Sequence, residues 1–149
     1  MSADDSVEVE SSGVIDAPLE SVWRIVSDFE NLATWHPDVT ETRLESGSGQ
    51  EPGAVRHLRL RNGAEIRERL VAISPRDHFY TYSVIESPLP IRDHESTVRF
   101  RPVDHSRTQV NWTAQFVVAG GDAKALAAGV KAAVLDLGIE GLRKAATGR

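Results

Sequence analysis

The sequence predicts an α+β domain, a seven-stranded antiparallel sheet followed by one long C-terminal helix. Three observations predict it. Between residues 40 and 118, short runs of alternating apolar and polar residues recur between clusters of turn residues, the period-two signature of half-buried strands. The links between those runs are too short for parallel crossovers, so successive strands must run antiparallel. From Asp122 onward the apolar spacing changes to three or four residues, the period of a helix.

Each element follows in order. Residues 1–5 are expected to be a disordered terminus, and 6–147 a single domain. Ser6 to Asp16 alternates loosely around Val7, Val9 and Val14 and reads as the first strand. Asp16 is placed to cap a following helix, and Pro18 has the fixed φ of a first helical turn. Leu19, Val22, Trp23 and Val26 then give an amphipathic helix over 18–28, and Asn31 to Trp35 a second short one that Pro37 stops. Strands follow at Thr40–Ser46, Ala54–Arg61, Ala64–Ser74, His78–Glu86, Asp93–Pro102 and Arg107–Val118. Asn62-Gly63 is a strong hairpin signal, and Ser87-Pro88-Leu89-Pro90 a loop stiffened by two prolines. The last helix runs from an Asp122 cap to about Ala146. Its roughly 24 residues would reach about 36 Å, enough to cross a sheet. Leu126, Val130, Val134 and Leu137 form its apolar stripe. Gly129, Gly138 and Gly141 lie within it; they either allow close packing on the sheet or leave volume for a ligand beneath the helix.

Composition excludes several function classes. The chain has 149 residues, 40% hydrophobic and 26% charged, with no cysteine. Thiolate catalysis and cysteine-bound zinc are therefore absent. A net charge of −5 argues against nucleic acid and anionic membrane as partners. No apolar run approaches the roughly 20 residues that cross a bilayer. The acidic start lacks the character of a secretory signal, so the cytoplasm is the expected compartment. None of the five histidines has metal-ligand spacing, and no nucleophile elbow or nucleotide-binding glycine loop occurs. Neither metal nor cofactor is expected, and the expected assembly is a monomer or a homodimer.

Alternation sorts the strands into two faces. His57, Arg59, Arg61, Glu65, Arg67 and Arg69 fall on the outer one as a solvated lattice of opposite charges. The inner face carries Leu58, Leu60, Ile66, Leu70, Tyr80, Tyr82, Val84, Val98, Phe100, Val110, Trp112, Ala114 and Phe116. Arg56, Glu68, His94 and Ser96 share that face. Isolated charges in a dry core cost several kcal/mol, so these groups either pair with one another, reach a rim, or line a wet cavity. An apolar cavity with a few convergent polar groups is the usual form of a small-molecule site.

Asp16-Ala17-Pro18-Leu19-Glu20-Ser21-Val22-Trp23, followed by Trp35-His36-Pro37-Asp38-Val39, resembles the opening signature of the polyketide cyclase/dehydrase-like branch of the START/Bet v 1 (SRPBCC) superfamily. The resemblance extends over nearly the whole chain. Tyr82-Ser83-Val84-Ile85 through Ser96 is also similar to the latch hairpin of plant abscisic-acid receptors. The likeness implies a helix-grip fold: a seven-stranded antiparallel sheet curled around a long C-terminal helix, two short helices after the first strand, and a hydrophobic cavity between sheet and helix. It implies that Glu68, Tyr82, Val84, His94, Ser96, Trp112, Val130 and Val134 line the cavity, with the Asn62-Gly63 hairpin and the Pro88-Leu89-Pro90 loop as lips of the entrance. The chain departs from the receptors in its short 61–64 hairpin, in Leu89-Pro90-Ile91 at the latch, and in Thr40 where they carry a ligand-anchoring lysine. A gated cavity is implied rather than recognition of abscisic acid.

The expected function is binding of a small hydrophobic or amphipathic molecule, lipid- or polyketide-like. The candidate ligand-binding residues are Leu58, Leu60, Ile66, Glu68, Tyr80, Tyr82, Val84, Leu89, His94, Ser96, Trp112, Val130, Val134 and Gly138. The alternative is a cyclase or dehydratase in which Glu68, His94 and Arg56 are the candidate catalytic residues. There His94 would be a general base, Glu68 an acid or base, and Arg56 a stabiliser of enolate charge, with Tyr80 or Tyr82 donating a hydrogen bond. A chaperone-interaction module would need an exposed apolar outer sheet, which the charged lattice opposes.

Overall fold

A computed structural model describes residues 6–148; the expected disordered terminus at 1–5 lies outside them. Seven strands form one sheet in the order β1-β7-β6-β5-β4-β3-β2, every neighbouring pair antiparallel. They are β1 (Ser6–Ile15), β2 (Val39–Ser46), β3 (Val55–Leu60), β4 (Glu65–Ser74), β5 (Phe79–Glu86), β6 (Ile91–Asp104) and β7 (Arg107–Val118). Helix α1 (Leu19–Val26) and a short 3-10 helix (Phe29–Thr34) separate β1 from β2. The fold is the helix-grip arrangement that the sequence predicts.

Alternation decides which face is buried. On β7, Thr108, Val110, Trp112, Ala114, Phe116 and Val118 are buried, and on β6 His94, Ser96, Val98 and Phe100 are. The apolar side chains among these form one core with Ile15, Leu135, Ile139 and Leu142.

Three local expectations are corrected. Asp16 does not cap α1: Pro18 holds the cap position, and no side chain bonds the helix end. The second short helix has 3-10 geometry and is capped by Asp28, which accepts from the amide of Glu30. The C-terminal helix is continuous but not uniform. It runs as α2 (Ala123–Val130), a π-helical segment (Lys131–Asp136) and α3 (Leu137–Thr147). Asp122 caps it as expected, its Oδ1 accepting from the amides of Lys124 and Ala125 at 3.0 and 3.2 Å.

Two glycines of that helix are contact points. A Cβ on Gly138 would stand 2.4 Å from the Trp112 ring, and one on Gly141 2.1 Å from the Trp35 carbonyl oxygen. Close packing therefore accounts for both. Gly129 has nothing near its missing side chain.

A fourth correction concerns His57. Alternation puts it on the outer face, yet it is 7% exposed. It is paired across the ladders with Arg43 and Arg67, and its Nε2 lies 2.7 Å from Glu65 Oε1. Long charged neighbours can cover a ring with their stems while keeping their heads in water.

Candidate functional site

The ladders bring Arg56 and Glu68 together: they are directly opposed on β3 and β4. Nε and Nη2 of Arg56 donate to Glu68 Oε1 at 2.9 and 2.6 Å, and Nη1 donates to the Phe29 carbonyl at 2.8 Å. The guanidinium lies 3.7 Å above the Phe29 ring centroid and 5.3 Å from that of Tyr82. Arginine and glutamate are 2% and 6% exposed, so two buried charges cancel in place, as a low-dielectric interior requires.

The pair borders a narrow, partly open cavity of about 50 Å³. Of the sequence-predicted ligand residues, Leu58, Leu60, Ile66, Glu68, Tyr82, Trp112 and Val134 line it, together with Arg56. Leu32, His36, Asp38, Val39 and Ala133 complete the wall and were not in the predicted set. Two signals for them existed: Val39 faces Leu60 across the β2–β3 ladder, and His36 lies inside the Trp35-His36-Pro37 motif. A cavity of this size holds a few water molecules, whereas drug-sized ligands occupy roughly 300–1,000 Å³. Entry of a drug-sized molecule would therefore have to widen it.

His36 joins the cavity wall to the helix. The amide of Asp38 donates to its Nδ1 at 3.2 Å, which places the proton on Nε2; Nε2 donates to the Val134 carbonyl, 2.9 Å away in the π-helical segment. Burial lowers the pKa of His36 below the usual histidine value because the charged ring would lose its hydration. Its ring meets Trp112 edge-on.

The other predicted residues lie elsewhere in the core or at the rim. Ser96 Oγ accepts from Trp112 Nε1 at 3.0 Å and donates to the Thr113 carbonyl at 2.6 Å. Tyr80 packs against Phe29 and Tyr82, Val130 is buried in the core, and Gly138 abuts Trp112. Leu89 is 38% exposed in the β5–β6 loop. His94 lies between Tyr82 and Phe116, off the cavity wall. Its Nδ1 accepts the Val84 amide proton at 3.0 Å, so the neutral ring carries its proton on Nε2 and presents a donor. The general-base role foreseen for His94 needs the opposite. Burial lowers the pKa of His94 as well. Burial also pushes the phenol of Tyr80 up to about 12 and that of Tyr82 further above the ordinary range; both stay protonated hydrogen-bond donors at neutral pH.

The two predicted lips face each other. Asn62, Gly63 and Ala64 of the β3–β4 hairpin and Glu86, Ser87 and Pro88 of the β5–β6 loop flank an open groove of about 880 Å³. Ile66 borders both groove and cavity. Beside the groove Arg67 is paired with Glu45 and Glu86. The groove is wider than the cavity but more open to solvent and lined by paired charges, so the narrower, more apolar space is the better site for an apolar ligand. Among the described residues no group of three or more His, Asp or Glu gathers as a metal site, and no helix is long and apolar enough to cross a membrane.

A seven-stranded sheet closed by a C-terminal helix over an apolar cavity with one internal ion pair defines a Bet v 1-like, helix-grip protein. The family model for polyketide cyclase/dehydrase and lipid transport matches residues 6–147, and the chain belongs to that family. It is 29% identical over 85 residues to the abscisic acid receptor PYL6 of Arabidopsis thaliana. That match takes in 55% of this chain and 40% of the receptor, so the chain spans well under half of that relative. A solution structure from Thermobifida fusca superposes with a TM-score of 0.83 at 29% identity, covering 93% of this chain and 92% of that one. The aromatase/cyclase Zhui of a Streptomyces species superposes at 0.77 with 17% identity, covering 95% and 93%, a likeness of fold alone.

Proposed function

We propose that the protein binds a small hydrophobic or amphipathic molecule, lipid- or polyketide-like, in the cavity between sheet and C-terminal helix. It does so as a single domain over 6–147, in the cytoplasm, as a monomer or homodimer, without metal or cofactor. The observation that carries this reading is the narrow, mostly apolar cavity with the neutralised Arg56–Glu68 pair in its wall. The family's name supports ligand handling of this kind. A cyclase or dehydratase would need a proton acceptor at the ligand. His94, the foreseen base, has its Nδ1 engaged by backbone, and Glu68, the foreseen acid or base, is held in the ion pair with Arg56; both engagements favour binding over turnover.

Native mass spectrometry of freshly purified protein, followed by titration with the neutral dye Nile red, tests the proposal. A co-purified apolar metabolite, or saturable dye binding that Leu58→Trp abolishes, is expected. Dye binding untouched by Leu58→Trp would place the site elsewhere.

A further inference from the structure

The C-terminal helix is held unequally along its length, and its two halves join where it meets the cavity. In α3, Gly138, Ile139, Gly141 and Leu142 are buried. The close approach of Gly138 to Trp112 and of Gly141 to the Trp35 carbonyl leaves that half no room to shift. Leu135, fully buried, fixes the end of the π-helical segment in the same core. In α2, by contrast, Val130 is the one buried residue. Ala123 and Leu126 pack only partly against the core, and Gly129 faces open space. Helices bend at π-type turns, because the regular ladder of backbone bonds is interrupted there. The segment 131–136 thus joins a fixed half to a loose one.

Ala133 and Val134 are the helix's contribution to the cavity wall. Ala133 is also the one exposed residue of that wall, so the cavity meets solvent beside the π-helical segment, where the turn carrying His36 and Asp38 approaches the helix. One side-chain bond spans this seam: His36 Nε2 donates to the Val134 carbonyl at 2.9 Å. Farther along, Ser11 of β1 donates to Asp136 and ties down the end of the segment. We propose that the cavity is entered through this seam, α2 swinging outward about the π-helical segment while α3 stays, with His36 as the clasp that holds the seam shut. Lifting Ala133 and Val134 gives up one hydrogen bond and little buried surface, whereas parting α3 from the sheet would open the core. The lips are not the gate. Between their groove and the cavity stands Ile66, held in the β3–β4 ladder opposite Leu58. A guest favours the open form only through what it gains in the widened space.

Hydrogen exchange of the empty full chain tests the hinge without a ligand. Amides of 127–134 are expected to exchange about ten-fold or more faster than those of 139–146. His36→Phe keeps a ring beside Trp112 and removes the donor. It should speed the first group by about five-fold and leave the second unchanged. Uniform exchange along the helix overturns the inference. The entry route, which rests on the cavity-binding reading above, is read from the stopped-flow rate of Nile red uptake. Ala133→Trp should slow uptake and His36→Phe should raise it by about five-fold, while Pro88→Trp at the lip leaves it unchanged. Slowing by Pro88→Trp, or uptake untouched by Ala133→Trp, overturns the inference and leaves the binding reading standing. If His36→Phe does not fold, the wild-type exchange contrast and the two tryptophan variants decide. If the dye does not bind, the binding reading falls and exchange alone decides the hinge.

Discussion

The ring of His94 substitutes for a strand partner of Val84. The β5–β6 ladder ends at the Tyr82–Ser96 pair, and beyond it the Val84 amide donates to His94 Nδ1, 3.0 Å away. Asp93, with φ of 53°, and a register shift between Arg92 and Glu95 turn the histidine into that gap. The Val84 amide should therefore resist hydrogen exchange although it lies outside the ladder. His94→Phe keeps the packing on Phe116 and removes the acceptor. Exchange at Val84 is expected to rise by up to about ten-fold, since an amide left without a partner costs about 1–3 kcal/mol when fully buried and Val84 is half-buried. Unchanged protection in the variant would contradict the arrangement.

Stability should fall on acidification. Burial lowers the pKa of His36 and His94 below the ordinary value of 6.5. Below that pH the unfolded chain binds protons that the folded chain refuses, so protonation favours unfolding. The stability present above 6.5 is thus progressively lost as pH falls toward the folded-state values. Urea midpoints at about pH 7.5 and about pH 5 measure it, and His36→Gln combined with His94→Phe should flatten the difference. A midpoint that rises on acidification would contradict the burial of both neutral rings.

The two contrasting glycines give a paired test. Gly138→Ala drives a methyl to within 2.4 Å of the Trp112 ring and should cost about 1–3 kcal/mol by overpacking. Gly129→Ala enters open space and should stabilise the helix by about 0.5–1 kcal/mol. Thermal unfolding of both variants checks the sign of each.

Removing both members of the internal ion pair should cost less than the two single losses added together. Glu68→Ala or Arg56→Met leaves a buried charge without its counter-ion, a loss of about 3–5 kcal/mol. The double variant should lose clearly less than the sum of the two. A denaturation cycle with additive losses would mean that the two side chains do not share one desolvated site.

The fold was legible because its signals were local. Asn62-Gly63, the alternation of β6 and β7, and the Asp122 cap each specify structure from a few residues. The same alternation placed Leu58, Leu60, Ile66, Glu68, Tyr82 and Trp112 on the face that lines the cavity. What escaped depends on contacts between elements. His36 and Asp38 reach the wall only because the π-helical segment passes close to them, and period counting cannot show that approach. His57 is buried by neighbouring side chains rather than by its position in the pleat. Gly138 lacks a side chain because an indole already fills the place, and composition does not distinguish that from an empty pocket.

The narrowness of the cavity carries a mechanical consequence. An interior of about 50 Å³ accepts a bicyclic guest only by swelling, so the loaded protein must displace more solvent than the empty one. The rate of uptake would then follow the breathing of sheet against helix rather than the frequency of collisions.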